Sequence, residues 1–136
     1  MFSVESLKAG FNTEFIGCEI NYQPETNSTN VDAWKHVNDG CVEGTVFITD
    51  NQKMGRGRRQ NKWFSSKNNS LIYSFILLPN IELEKLGLLP LLTGVSIVNG
   101  IQLATSIKTG LKWPNDIMLN RKKMGGILIE SRSSSN

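Results

Sequence analysis

The chain has 136 residues, 39% hydrophobic and 20% charged, with fifteen Lys and Arg against twelve Asp and Glu for a net charge of +3. That length holds one domain with a single core, and that composition excludes a disordered chain. The sequence opens without a secretory pattern, the apolar run "LIYSFILLP" is too short and too strand-like to span a bilayer, and Cys18, Cys41 and His36 lack metal-ligand spacing.

In chain order, residues 1–25 form an N-terminal segment that includes the first strand region, "FIGCEINY" at 15–22. "NSTNVDAWKHVNDG" reads as a short helix: Ser28 or Thr29 caps it, Val31, Trp34 and Val37 share a face, and Gly40 ends it. His36 then falls at its surface. "GTVFITD" is a strand rich in β-branched residues. A basic, glycine-containing loop follows, and "SLIYSFILLP" is a longer strand closed by Pro79. "LGLLPLLTGVSIVNGIQLATSI" is the longest helix. Pro90 fits its first turn, and its apolar residues cover almost the whole circumference, so burial is expected. After a break at Pro114, "DIMLNRKKMGGILIES" reads as a hairpin with a polar turn at Asn120 and Arg121 and an apolar return strand. Residues 131–136 are a low-complexity tail. The pattern predicts an α+β fold, a mixed sheet packed by helices. The two cysteines are expected reduced, in or near the core, in a cytoplasmic setting.

The positive charge is concentrated. Residues 51–81 carry Lys53, Arg56, Arg58, Arg59, Lys62 and Lys67 with no acidic residue, and residues 108–123 carry five basic residues against Asp116 alone. Such concentration implies an anionic partner. "GRGRRQ" has Gln60 where a dinucleotide fingerprint needs its third glycine, and it lacks the Gly-Lys-Ser/Thr ending of a phosphate-binding P-loop. What remains is physical: Gly55 and Gly57 let backbone N–H groups approach an anion, and the interleaved arginines offer planar bidentate donors. A solvated loop, a nucleic-acid contact in which Trp63 and Phe64 stack on bases, and a loop that closes over phosphates all fit this stretch. In "LKWPND", the rigid turn at Pro114 carries Lys112, Asn115 and Asp116, suited either to phosphate with Mg²⁺ or to a turn capping its own backbone. "KKMGGILIE" sets Lys122 and Lys123 before a Gly-Gly pair, a sign of close ligand approach. "NSTN" is by itself only a cap.

Taken together, "GRGRR" with a following "KW", then "KWPND", then Lys-x-Gly-Gly-Ile-Leu-x-Glu resemble the biotin–protein ligases over about residues 26–130, which would be the catalytic domain. The resemblance implies a fold similar to the class II aminoacyl-tRNA synthetase-like biotin/lipoate ligases. It implies activation of biotin by MgATP to biotinyl-5′-AMP and transfer to a lysine of a biotin carboxyl carrier protein or domain. On that resemblance Arg56, Arg58 and Lys123 are the catalytic residues at the carboxylate–phosphate junction. Ser28, Thr29, Asn30 and Gln52, with Arg56, Gly57, Arg58 and Lys123, would bind biotin. Gly55, Arg59, Trp63, Lys112, Asn115, Asp116 and Gly125 would line the ATP or adenylate, with Asp116 as a Mg²⁺ ligand. ATP and Mg²⁺ are the implied cofactors, and a homodimer is within the family's habits.

The sequence departs from that family in two ways. Gln60-Asn61 stand where a further glycine is usual, and the family's catalytic domain continues beyond "GGILIES". An incomplete ligase domain, without an N-terminal DNA-binding domain, is therefore expected. The alternatives are a basic nucleic-acid-binding module and a remnant that binds biotin without ligase activity.

Overall fold

The β-branched run after Gly44 becomes the centre of a sheet. A computed structural model describes residues 3–10, 13–40 and 42–132. In order, the elements are helix α1 (Val4–Gly10), strand β1 (Ile20–Thr26), helix α2 (Thr29–Asn38), β2 (Val46–Gln52), the short strands β3 (Gly55–Arg56) and β4 (Lys62–Trp63), β5 (Ile72–Phe75), helix α3 (Leu89–Thr105), β6 (Gly110–Lys112), β7 (Asp116–Leu119) and β8 (Lys122–Gly126). They fall into two compact units, one within residues 1–56 and 60–79, the other within 57–59 and 80–136.

In the first unit β2 lies between β1, to which it is parallel, and β5, to which it is antiparallel. This is the expected mixed sheet. Ile20, Val46 and Ile48 form the core on one side, with Leu7, Tyr22 and Phe75 against them. Ala33, Phe47 and Ile76 form it on the other, with Val37. The alternation Val46, Phe47, Ile48 thus feeds both faces, as a central strand requires. The first strand begins later than the sequence suggests. Residues 15–19 are turns and bends, Gly17 has φ +92° and donates its N–H to the Gly44 carbonyl at 2.8 Å, and pairing starts only at Ile20. Pro24 sits within β1 and is skipped in the pairing register, which an edge strand permits.

Helix α2 forms where expected, but its buried stripe is Thr29 and Ala33, with Val37 half-buried, rather than Val31, Trp34 and Val37. Positions four apart stack along one line of a helix, and the sheet takes the line that carries the small Ala33. Ser28 occupies the N-cap without a capping side-chain bond, and Gly40 adopts φ +81° past the end. His36 is exposed and sits edge-on to Phe47, with ring centroids 4.8 Å apart. The strand expected over 70–79 is only Ile72–Phe75. Ile76 extends its pairing by two backbone bonds, to Thr45 and Gly44, before the chain turns away. Cys18 is exposed rather than packed in the core, because it lies in the irregular approach to β1, and Cys41 lies outside the described residues.

The second unit contains α3 and the antiparallel sheet β6–β7–β8. Pro90 stands in the first turn of α3, as predicted. Burial of the helix does not follow. Gly94 is its buried residue, while Leu91, Leu92, Val95 and Leu103 are exposed. Only the Gly94 side packs closely: a β-carbon there would meet Leu111 Cδ2 at 3.0 Å. The stretch Leu83–Thr105, not "LIYSFILLP", is the longest apolar one and would pass as a membrane span by length and composition. Within it, a 3₁₀ turn over Leu83–Leu88 runs directly into the 17-residue α-helix. The hairpin turn is Asn120-Arg121, both at positive φ (+48° and +63°), the geometry of a two-residue turn. Its return strand is "KKMGG" and not the apolar "ILIE", which follows it outside the sheet.

Candidate functional site

The first unit gathers the polar end of α2 against the ends of β2 and β5. Ser28 and Thr29 are 2% and 4% exposed, deep enough that their hydroxyls need partners. The Thr29 N–H donates to Gln52 Oε1 at 3.0 Å, so the last residue of β2 supplies the acceptor that a capping side chain would otherwise give. The Thr29 hydroxyl lies 2.7 Å from the Ser74 hydroxyl, and Ser74 also donates to Asn30 Oδ1. Ser74 had no signal in the sequence, because a serine in an apolar strand looks like ordinary alternation. Gly55 is buried in β3 beside this cluster. A β-carbon there would come within 2.4 Å of the Trp63 carbonyl oxygen and 2.7 Å of Gln52 Nε2, so only glycine fits without displacing backbone. The first glycine of "GRG" thus serves packing.

The basic segment is not a featureless loop. Gly55 pairs with Trp63 and Arg56 with Lys62 across the β3–β4 ribbon, leaving Arg56 exposed and Trp63 half-buried. The connection holds Arg59 at φ +54° and Gln60 at φ +64°. Gln60, where the resembled family usually has glycine, therefore takes the left-handed backbone that glycine adopts without strain. To one side, Lys53 is ion-paired with Glu25 at 2.5 Å, which holds the Glu25 carboxyl below its usual range. Tyr22 donates to Asp50 at 2.6 Å, and that bond raises the Tyr22 phenol.

The second unit contains Gly57, Arg58 and Arg59 as well as Lys112, Asn115, Asp116, Lys123 and Gly125. Asn115 is the organising residue. Its carbonyl accepts from Ile127 N–H at 2.9 Å, its Nδ2 donates to the Ile127 carbonyl at 2.9 Å, and its Oδ1 accepts from Arg58 Nη1 at 3.4 Å. The Asn115 side chain thus bonds the backbone at Ile127, twelve residues on, and Arg58, rather than capping its own turn. The Trp113–Pro114 peptide is cis. Across the hairpin Met118 pairs with Lys123, and a register shift follows before Ile117 pairs with Gly125. Alternation along β7 puts Asp116 on the same face as Met118, hence diagonal to Lys123. Their ion pair closes at 2.7 Å. Lys112, paired with Asp116 in the strand register, is exposed, and Gly125 is half-buried against Ile117.

As a metal site this set offers little protein. No group of three His, Cys, Asp or Glu occurs among the described residues, and one oxygen of Asp116 is already engaged by Lys123. A Mg²⁺ that takes one carboxylate and draws its other ligands from phosphates and water fits such a set, whereas a protein cage does not.

Sequence and structure comparisons relate the chain to known proteins. The model of the Biotin/lipoate A/B protein ligase family matches residues 22–136. The bifunctional ligase/repressor BirA of Bacillus spizizenii is 40% identical over 131 residues, 96% of this chain and 40% of that protein. The biotin protein ligase of Aquifex aeolicus, solved in complex with biotin and ATP, superposes with a TM-score of 0.72 at 35% identity, covering 84% of this chain and 47% of that one. That of Leishmania major, in complex with biotinyl-5-AMP, gives 0.72 at 26%, covering 85% and 53%. The chain thus spans roughly half the length of these relatives or less. The chain belongs to the biotin/lipoate A/B protein ligase family.

Proposed function

We propose that this chain activates biotin with ATP to biotinyl-5′-AMP and serves transfer of the biotinyl group to a lysine of a biotin carboxyl carrier domain. The supporting observation is the cluster of buried Ser28 and Thr29 with half-buried Asn30 and Gln52 next to Gly55, in a chain 35% identical to a ligase solved with biotin and ATP. The Mg²⁺ and the carrier lysine belong to this proposal, as do residues 26–130 as the ligase part of the chain and a cytoplasmic setting.

In the first half-reaction a biotin carboxylate oxygen attacks the α-phosphorus of ATP, and pyrophosphate leaves. Two anions must meet, so the barrier is largely electrostatic. Arg56, Arg58 and Lys123 are assigned to the junction, with Arg59 in support. Their cations would neutralise the two anions where they meet. Lys123 suits that role because Asp116 keeps its ammonium oriented before substrate arrives. Asp116 would be the protein ligand of a Mg²⁺, which would supply charge neutralisation at the leaving group. In the second half-reaction the lysine amine attacks the biotinyl carbonyl, AMP leaves, and no covalent enzyme intermediate is needed.

Mass spectrometry of the purified chain mixed with biotin and MgATP tests this. Biotinyl-5′-AMP should form, and Arg56→Ala and Lys123→Ala should each slow its formation by about 10²–10³-fold. Absence of adenylate from the parent chain overturns the activity. Undiminished rates in both variants overturn the assignment of the cations.

A further inference from the structure

The Ser74 hydroxyl lies on β5, where its register partner on β2 is Phe47. Phe47 belongs to the apolar cluster with Ala33 and Ile76, so an alanine or valine at position 74 would suit the surroundings as well. A hydroxyl placed there costs free energy unless it is bonded. Ser74 is bonded twice, to both of the first residues of α2, Thr29 and Asn30.

Proton counting sets the direction of those bonds. Asn30 Oδ1 is a carbonyl oxygen and only accepts, so Ser74 donates its single proton to it. The bond between the Thr29 and Ser74 hydroxyls, 2.7 Å long, must then be donated by Thr29. The alternative acceptor for that proton, Gln52 Oε1, is farther, at 3.4 Å. Thr29 Oγ1 therefore has only lone pairs left to offer. Gln52 is fixed in the opposite sense: its Oε1 takes the Thr29 N–H at 3.0 Å, which leaves its Nε2 end, the end nearest Gly55, as a donor. A ligand that meets both groups must present an N–H beside a C=O.

We propose that Ser74 is a positioning residue which, by holding the Thr29 hydroxyl as an acceptor, makes this site select the N–H groups of a cyclic urea. The inference rests on the biotin reading above, since the ureido ring of biotin has two N–H groups flanking a carbonyl. Ser74 acts through Thr29 and Asn30 and needs no contact with the ligand.

The test is calorimetric titration of the 136-residue chain with biotin and with biotin methylated on either ureido nitrogen, which loses one N–H. Ser74→Ala leaves Thr29 free to turn its proton outward. Biotin affinity should fall about tenfold, a typical loss for one hydrogen bond, and preference for biotin over the methylated analogues should shrink alongside. Ser74→Thr, which keeps the hydroxyl, should retain both the affinity and the preference, whereas Ser74→Val, of the same shape, should lose both. In a Thr29→Val background, Ser74→Ala should change affinity by less than about twofold, because the group it acts through is gone. Circular dichroism and the melting midpoint show that each variant is folded, and the Thr/Val pair decides the matter even if the alanine variant is not. Unchanged affinity and preference in Ser74→Ala, equal behaviour of the Thr and Val variants, or full additivity with Thr29→Val overturns the role of Ser74. A parent chain that binds no biotin instead overturns the ligase reading itself.

Discussion

The unit built on β1, β2 and β5 buries Ile20, Ala33, Val46, Phe47, Ile48, Ile72 and Ile76, and the polar residues at the start of α2 sit on top of that packing. In the unit built on α3 and β6–β8 only Ile117 and Ile127 reach the same burial among the described apolar residues, and Leu91, Leu92, Val95 and Leu103 of α3 face solvent. The two units hold their candidate site residues differently. Thr29, Asn30 and Gln52 are fixed by short bonds in a half-dry interface, where a misplaced hydroxyl would be left unsatisfied. Asp116 and Lys123 are fixed by one ion pair whose side chains are 23% and 44% exposed, and such pairs give orientation more than stability. On the proposed function, the more deeply packed unit carries the polar cluster assigned to the biotin ring, and the cations assigned to the anions come from both units.

The largest effect that could break this contrast is on stability. Phe47→Ala should cost about 3–5 kcal/mol, a large part of what a domain of this size has, while Ile117→Ala should lie near the low end of the range for its type, about 2 kcal/mol. Urea unfolding of the two variants measures both. Equal costs would mean that the second unit is as tightly packed as the first. Hydrogen exchange would then show β7 as slow as β2, where faster exchange in β7 is expected.

A smaller effect sharpens the comparison within the site. Gly55→Ala must push the β3–β4 ribbon off the Trp63 carbonyl and Gln52, and should destabilise by about 1–3 kcal/mol while weakening biotin binding. A variant with parent-like melting and parent-like titration would show that the ribbon has more room than its geometry allows. The smallest expected change has the opposite sign. Gln60→Gly removes a side chain from a backbone at φ +64° and should stabilise the folded chain by about 0.5–1 kcal/mol, read as a higher urea midpoint. Destabilisation there would mean that the Gln60 side chain makes a contact worth more than the backbone strain.

Several elements were legible from residue order because their signals are local. The β-branched run of β2, the Ser28–Gly40 limits of α2, Pro90 in the first turn of α3 and the Asn120-Arg121 turn each depend on nearest neighbours along the chain. The resemblance carried by "GRGRR", "KWPND" and the Gly-Gly strand pointed to the family before any contact was known. Elements whose existence depends on a partner were less legible. The two-residue strands β3 and β4 form because Gly55 permits the approach of Trp63, and the late start of β1 follows from Gly17 bonding to Gly44. Helix α3 was misread for the same reason: a uniformly apolar sequence predicts burial, but burial needs a second surface, and the described residues supply one only along Gly94.

By itself, then, the sequence determined where the chain would turn, which stretches would be helix or strand, where its positive charge would concentrate and which family it belongs to. These follow from propensity, period and motif, which are properties of short segments. Only the tertiary structure decided that Ser74 lies against Thr29 and Asn30, that Gln52 accepts the first amide of α2, and that Asp116 reaches Lys123 across a hairpin. Hydrogen-bond polarity and ion pairing are set by distances between residues up to 45 positions apart, and no local pattern encodes them.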